Sequence, residues 1–417
     1  MQQTDVFKRF DMRKPPIRQR NYLRPLLWAL TIPQVIVKGS KITKEGCEGL
    51  KPPYLLLCNH NAFYDFSVAT KAIFPARANY IVAIDGFIGR EWLLRNVGGI
   101  CKRKFTNDLQ LIRQIRQVFK NGDVLILYPE ARYSLCGTTA VLPDSLGKLC
   151  RSMQVPVVSL ICHGHHLNSP FWNLKKRRVR GLSAEMKLLY TPEQLKSTPV
   201  EEINRTIREA FVYDDFAWQK ENRIRIREPF RAEGLHHVLY QCPACHTEYR
   251  MNSRGTELFC EACGKRWQMT ELGELQAEGA DVTEFSHIPD WYEWQRANVR
   301  AEVEAGTYYW SGACHVNSLP NAKRYLPLGD GTLTHDMEGF HVKGSGPYGP
   351  YAMELSAKEL YSCHIEYNYL GKYGDCVDLN TLQDTFYTYP HGRDFSVTKM
   401  ALATEELFYH YHPDKIR

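Results

Sequence analysis

The chain has 417 residues and a mass of 48.3 kDa, with 44% hydrophobic, 24% charged and 12% aromatic residues. That usage excludes disordered, collagen-like and coiled-coil classes, and the length predicts two or three domains of roughly 150 residues. The net charge of +7 averages two unlike halves: residues 1–230 hold 37 Lys and Arg against 20 Asp and Glu, whereas residues 231–417 hold 16 against 26.

Residues 1–40 read as a basic, amphipathic segment. Lys8, Arg9, Arg13, Lys14, Arg18, Arg20 and Arg24 precede Leu26-Leu27-Trp28-Ala29-Leu30. The apolar run over 26–37, interrupted by Pro33 and Gln34, is shorter than the ~20 residues that cross a bilayer. Cations followed by Trp and Leu suit an anchor lying on an anionic membrane surface, and a core-covering helix is the alternative. The start lacks the pattern of a secretory signal, and most of the 13 cysteines are scattered singly, so the expected location is cytoplasmic, peripheral on the cytoplasmic face of the membrane.

From residue 41 to about 230, short apolar runs alternate with amphipathic stretches. Strands are predicted over 54–58, 80–83, 124–128, 155–161 and 185–190. Helices are predicted over 107–120, with Asn107 as N-cap and Leu109, Ile112, Ile115 and Phe119 as its apolar stripe, and over 200–222. The alternation points to an α/β fold with a largely parallel sheet, ending in a charged linker over 221–228.

Four blocks in this region carry chemistry. Asn59-His60-Asn61-Ala62-Phe63-Tyr64-Asp65 follows the first buried strand. A spacing of five puts His60 and Asp65 about 140° apart within a continuous helix, so they meet only if His60 precedes the helix and Asp65 lies in its first turns. Asp65 then fixes the His60 tautomer and leaves the other ring nitrogen to take a proton from a hydroxyl. Gly98-Gly99-Ile100-Cys101-Lys102-Arg103-Lys104 leads a helix into three cations, and Tyr128-Pro129-Glu130-Ala131-Arg132-Tyr133-Ser134 presents a carboxylate and a guanidinium on one turn. Val155-Pro156-Val157-Val158 is a strand with proline near its start.

In this order the blocks resemble those of the glycerolipid acyltransferases, the 1-acylglycerol-3-phosphate acyltransferase family. Asn59, His60 and Asp65 match its Asn-His-x4-Asp block in full. Gly99 and Arg103 match the second block, Tyr128, Pro129, Glu130 and Ser134 the third, and Val155, Pro156 and Val157 the fourth. Ala131 and Ser159 stand where the family has glycine and proline, and Tyr133 where it has arginine, with Arg132 one place earlier. Over residues 20–220 the resemblance implies an α/β acyltransferase domain. In it His60 is the general base and Asp65 its orienter, and Asn59, Gly99, Arg103, Glu130 and Arg132 are substrate-binding residues. It also implies transfer from acyl-CoA or acyl carrier protein to a lysophospholipid, foremost 1-acylglycerol 3-phosphate, giving phosphatidic acid.

His163-Gly164-His165-His166 reads as the mouth of a pocket or, less readily, a metal site, and Lys175-Lys176-Arg177-Arg178 as a solvated face. Cys242 and Cys245, separated by 14 intervening residues from Cys260 and Cys263, have the spacing of a zinc ribbon over 241–270, in which four thiolates close a structural zinc site. A helix is predicted over 289–304. Residues 305–417 hold 13 of the 24 tyrosines in short alternating runs, the pattern of an antiparallel β domain of closed-barrel or pleckstrin-like form with a final helix over 403–411.

Two other classes compete with an enzyme. A nucleic-acid-binding ribbon protein is disfavoured because the half bearing the cysteines is acidic, which opposes a polyanion, so no nucleic acid is expected. A non-catalytic lipid-binding scaffold rests on the departures at Ala131 and Ser159.

Overall fold

Three sheets joined by helices make up the computed structural model, which describes residues 7–173, 175 and 177–415. The first half contains α1 (Arg24–Val37), β1 (Lys41–Glu45), β2 (Leu55–Cys58), α2 (Tyr64–Ala72), β3 (Ala78–Ala83), α3 (Glu91–Asn96), β4 (Gly99–Lys102), α4 (Leu109–Lys120), β5 (Val124–Leu127), α5 (Ser145–Met153), β6 (Val157–His163), α6 (His165–Asn168) and β7 (Ser183–Tyr190). Their strands lie in the order β1-β7-β6-β2-β5-β3-β4. The run β6-β2-β5-β3-β4 is parallel; β7 is antiparallel to β6, and β1 pairs parallel with β7. All four residues of β2 are buried, as a central strand covered on both faces requires, which is why it reads as an unbroken apolar run. Because β2, β5 and β6 point the same way, the segments that follow them open on one edge of the sheet, where such folds build sites.

The predicted elements are present with shifted ends. Helix α4 starts after Asp108 rather than Asn107, because the Asp108 carboxylate accepts from the amides of Gln110 and Leu111. The single helix expected over 200–222 is two, α8 (Val200–Ala210) and α9 (Asp215–Glu221), after a short α7 (Pro192–Ser197). Asp214 is extended and caps α9 through the Ala217 amide.

A short α10 (Leu235–Val238) leads to the second sheet, β8 (Met251–Arg254), β9 (Glu257–Cys260), β10 (Arg266–Met269) and β11 (Leu275–Ala277), antiparallel throughout. Helix α11 (Ile288–Glu304) covers it, with Trp267 and Trp291 packed edge to face at 5.0 Å. The third sheet comprises β12 (Tyr309–Ser318), β13 (Leu326–Asp336), β14 (Gly339–Gly346), β15 (Gly349–Ser356), β16 (His364–Glu366), β17 (Cys376–Asn380) and β18 (Thr385–Pro390), in the order β15-β14-β13-β12-β18-β17-β16, all antiparallel. Helix α12 (Val397–Tyr411) closes the chain, starting earlier than predicted because the Ser396 side chain caps it.

One contiguous buried cluster runs from Val35 and Leu56 through Trp172, Trp267 and Trp291 to Phe340 and Leu407, so the three sheets share a core. Among the described residues, no helix is long and apolar enough to cross a membrane.

Candidate active site

Strand β2 ends at Cys58 and α2 begins at Tyr64; the turn between them holds His60, and Asp65 sits in the first turn of the helix. Asp65 is fully buried. Its Oδ2 accepts from the amides of Asn61 (2.6 Å) and Ala62 (2.9 Å) and from Nδ1 of His60 (3.3 Å), and its Oδ1 accepts from Nδ1 of His165 at 2.5 Å. Burial by itself raises a carboxyl pKa, but the bonds from His165 and His60 outweigh it and hold Asp65 at about 2. A carboxylate can only accept, so Nδ1 of His60 carries the proton and Nε2 is left as the basic nitrogen. The ring is clamped between Tyr128 and Tyr133, with centroids 4.2 and 4.3 Å away.

His60 opens onto a cleft of about 530 Å³ between the sheet and helices α4 and α5. Ile81, Ile112, Ile115, Leu127, Leu146 and Leu149 supply its apolar walls, and Lys102, Lys104 and Lys148 put ammonium groups on them. Lys102 donates to the carbonyl of Thr106, Lys104 pairs with the buried Asp378 at 3.2 Å, and Lys148 is exposed. Tyr361, between β15 and β16, completes the wall, so the C-terminal half contributes to the cleft.

The five residues expected to bind substrate do not line this cleft. Arg103 is buried against the C-terminal half, donating to the carbonyls of Leu319, Pro320 and Gln383 and to the hydroxyl of Thr385. Arg132, also buried, pairs with Glu405 of α12 at 2.6 Å. Both guanidiniums, expected to read an acceptor phosphate, are engaged inside the protein. Glu130 accepts from the amides of His60 (3.1 Å) and Ala140 (2.9 Å), and so holds the turn that carries His60. Asn59 exchanges two bonds with the backbone of Cys162, tying the end of β2 to β6. Gly99 lies within β4, where a side chain would strike the Leu94 carbonyl. Ala131, at the family's glycine position, has φ +55°, a left-handed conformation that favours glycine.

His165 is the residue that sequence reasoning missed. Its cluster was expected at a pocket mouth, yet His165 and His166 are fully buried and His165 reaches Asp65. No local pattern announces this contact; it follows from the parallel pairing of β6 with β2. The solvated face expected over 175–178 is also corrected in part: Arg177 is buried over the Trp172 ring and donates to the Arg231 carbonyl, while Lys176 lies outside the described residues.

Residues 34–163 match the acyltransferase family model. The matched segment contains the turn that carries His60, most of the cleft's lining and β6. Among solved structures, the chain is similar to the 1-acyl-sn-glycerophosphate (LPA) acyltransferase PlsC from Thermotoga maritima, with 18% identity over 46% of this chain and 77% of that one and a TM-score of 0.36. Among curated proteins, none matches.

Outside the segment matched by the family model, the sulfurs of Cys242, Cys245, Cys260 and Cys263 converge within 4.8 Å of one another. Cys242 and Cys263 are 3.8 Å apart and Cys245 and Cys260 3.7 Å apart. Four thiolates at the ~2.3 Å Zn–S distance on a tetrahedron are separated by about 3.8 Å, so the donor set fits a tetrahedral zinc ion with no open position.

Proposed function

We propose that the protein transfers a fatty acyl group from acyl-CoA or acyl carrier protein to the hydroxyl of a lysophospholipid. The observation that carries this reading is His60, oriented by Asp65, at the end of an aliphatic cleft. The acceptor hydroxyl loses its proton to Nε2 of His60 as its oxygen attacks the thioester carbon. The C–O bond forms, the C–S bond breaks, and the proton passes from His60 to the departing thiolate. The apolar walls suit a hydrocarbon chain, and Lys148, exposed on the cleft wall, supports a phosphate-bearing acceptor such as 1-acylglycerol 3-phosphate, giving phosphatidic acid.

The same reading places the protein peripherally on the cytoplasmic face of a membrane. Leu26, Leu30 and Val37 form an exposed stripe on α1, whose opposite face buries Val35 against the core, and Lys8, Arg9 and Arg13 are exposed nearby in the chain. The four cysteines hold a structural zinc. The division expected from sequence, with segment 1–40, a transferase domain over 41–230, a ribbon over 241–270 and a pleckstrin-like domain over 305–417, is proposed on the same footing; the three separate sheets support it.

Mass spectrometry of lipids after incubation with mixed lysolipids and either acyl donor tests the activity. A phospholipid gaining one acyl chain is expected with wild type and lost in His60→Ala. Equal product from His60→Ala, or thioester hydrolysis alone, refutes the assignment.

A further inference from the structure

Asp65 stands apart from the other buried carboxyls that face it. Glu130 and Asp215 each accept two backbone N–H bonds, and burial pushes both up to about 8. Asp65 also accepts two backbone bonds, from Asn61 and Ala62, yet it is held at about 2. What distinguishes it is the pair of imidazoles. The bonds divide unevenly between its oxygens: Oδ2 takes both amides and His60, whereas Oδ1 takes His165 alone. Without His165, Oδ1 becomes a buried carboxylate oxygen with no donor, the condition in which a carboxyl binds a proton or turns to find a partner. Either change withdraws the oriented negative charge that His60 needs as it becomes an imidazolium.

We propose that His165 is a positioning residue of the transfer reaction: its Nδ1–H bond to Oδ1 keeps Asp65 ionised and turned so that Oδ2 meets His60. Three features of His165 fit this role. It is fully buried, so its bond is shielded from water. It begins α6 just after β6, whose parallel pairing with β2 brings the ends of both strands to the same edge. Its Nε2 is buried with no protein partner, so the hydrogen bond to Asp65 is made through Nδ1. Cys162 lies close enough to complete a three-ligand group with Asp65 and His165. The 2.5 Å between Oδ1 and Nδ1 is a hydrogen-bond distance. Two ligands of one tetrahedral ion, each ~2.0 Å from it, would stand about 3.3 Å apart, so a metal does not bridge them.

The inference rests on the proposed transfer, so its test pairs kinetics with a measurement that needs no substrate. Asparagine places an N–H near the Nδ1 position, glutamine places it one bond farther out, and leucine has none. With acyl-CoA and 1-acylglycerol 3-phosphate, His165→Leu and His165→Gln should lower kcat by ~10- to 100-fold with KM nearly unchanged, and His165→Asn should recover most of the loss. In proton NMR of the full chain, wild type should show two downfield imidazole N–H resonances, one from each histidine on Asp65. His165→Asn should retain the His60 resonance and His165→Gln should lose it, even if the leucine variant does not fold. Equal kcat losses for Asn and Gln, or a His60 resonance untouched by every substitution, would overturn the proposal. Resonances that follow this pattern in a protein without transferase activity would reject the transfer reading and leave the orienting role of His165 in place.

Discussion

Asp65 is where charge, hydrogen bonding and backbone geometry meet. Replacing it with asparagine removes the charge and substitutes an N–H donor for one oxygen, so the side chain cannot accept from both histidines at once. Asp65→Asn should therefore lower kcat by ~10²- to 10⁴-fold through the wrong His60 tautomer, as read from steady-state rates. The same carboxylate has a stability signature. Its folded pKa, about 2, lies below the reference value of 3.8, so its contribution is fully present above 3.8 and is lost as pH falls toward 2. Stability from denaturant unfolding followed by circular dichroism should fall in wild type as pH drops from 3.8 toward 2, and that fall should shrink in Asp65→Asn.

At the scale of the element, α1 and the ribbon make separate demands. On α1, Leu26 and Leu30 are 52% and 68% exposed while Val35 is fully buried, so one face holds the helix to the protein and the other is available to lipid. Several nearby cations are already committed: Arg18 to Asp123 at 2.9 Å, Lys14 to Glu91 at 2.8 Å, and Arg24 to the Pro75 carbonyl. The apolar stripe therefore carries more of the expected membrane affinity than the full count of basic residues suggests. Leu26→Glu with Leu30→Glu should reduce co-sedimentation with anionic liposomes without altering thermal unfolding; unchanged sedimentation would reject the anchor. The ribbon, by contrast, depends on its sulfurs. A site of this kind contributes on the order of 10 kcal/mol to its segment. Metal analysis should find about one zinc per chain, and Cys260→Ser should lose it and open residues 240–277 to protease.

Across the whole molecule, the two halves are pinned by buried arginines. Arg103 makes four bonds to segments around β12 and β18. Arg132 meets Glu405, which Arg296 also contacts at 2.7 Å and to which Ser362 donates at 2.8 Å. Burial raises the Glu405 pKa, but Arg132 and Arg296 outweigh it and hold the group below its ordinary range. Removing one guanidinium leaves a buried charge only partly compensated, which costs about 3 to 5 kcal/mol. Arg132→Met should lower the unfolding midpoint markedly. Arg103→Ala should do the same, rather than raise the acceptor KM as a phosphate-binding role would require.

The alternation of apolar runs and amphipathic stretches was enough to read the α/β layer, because helix and strand periodicities are local. The contact between His60 and Asp65 was equally legible, since five residues at a strand-to-helix turn can meet without help from elsewhere. The cysteine spacing likewise encodes its own convergence in two short turns. Other partners had no local signature. His165 reaches Asp65 across 100 positions only because β6 lies beside β2 in the sheet. Arg103 and Arg132 carry the residue types of a phosphate site, but long-range packing decided their partners: the C-terminal half buries both and supplies carbonyls, a hydroxyl and a carboxylate before any ligand arrives. A guanidinium has the same chemistry whether it faces substrate or protein, so its role depends on which acceptor the tertiary structure brings within reach.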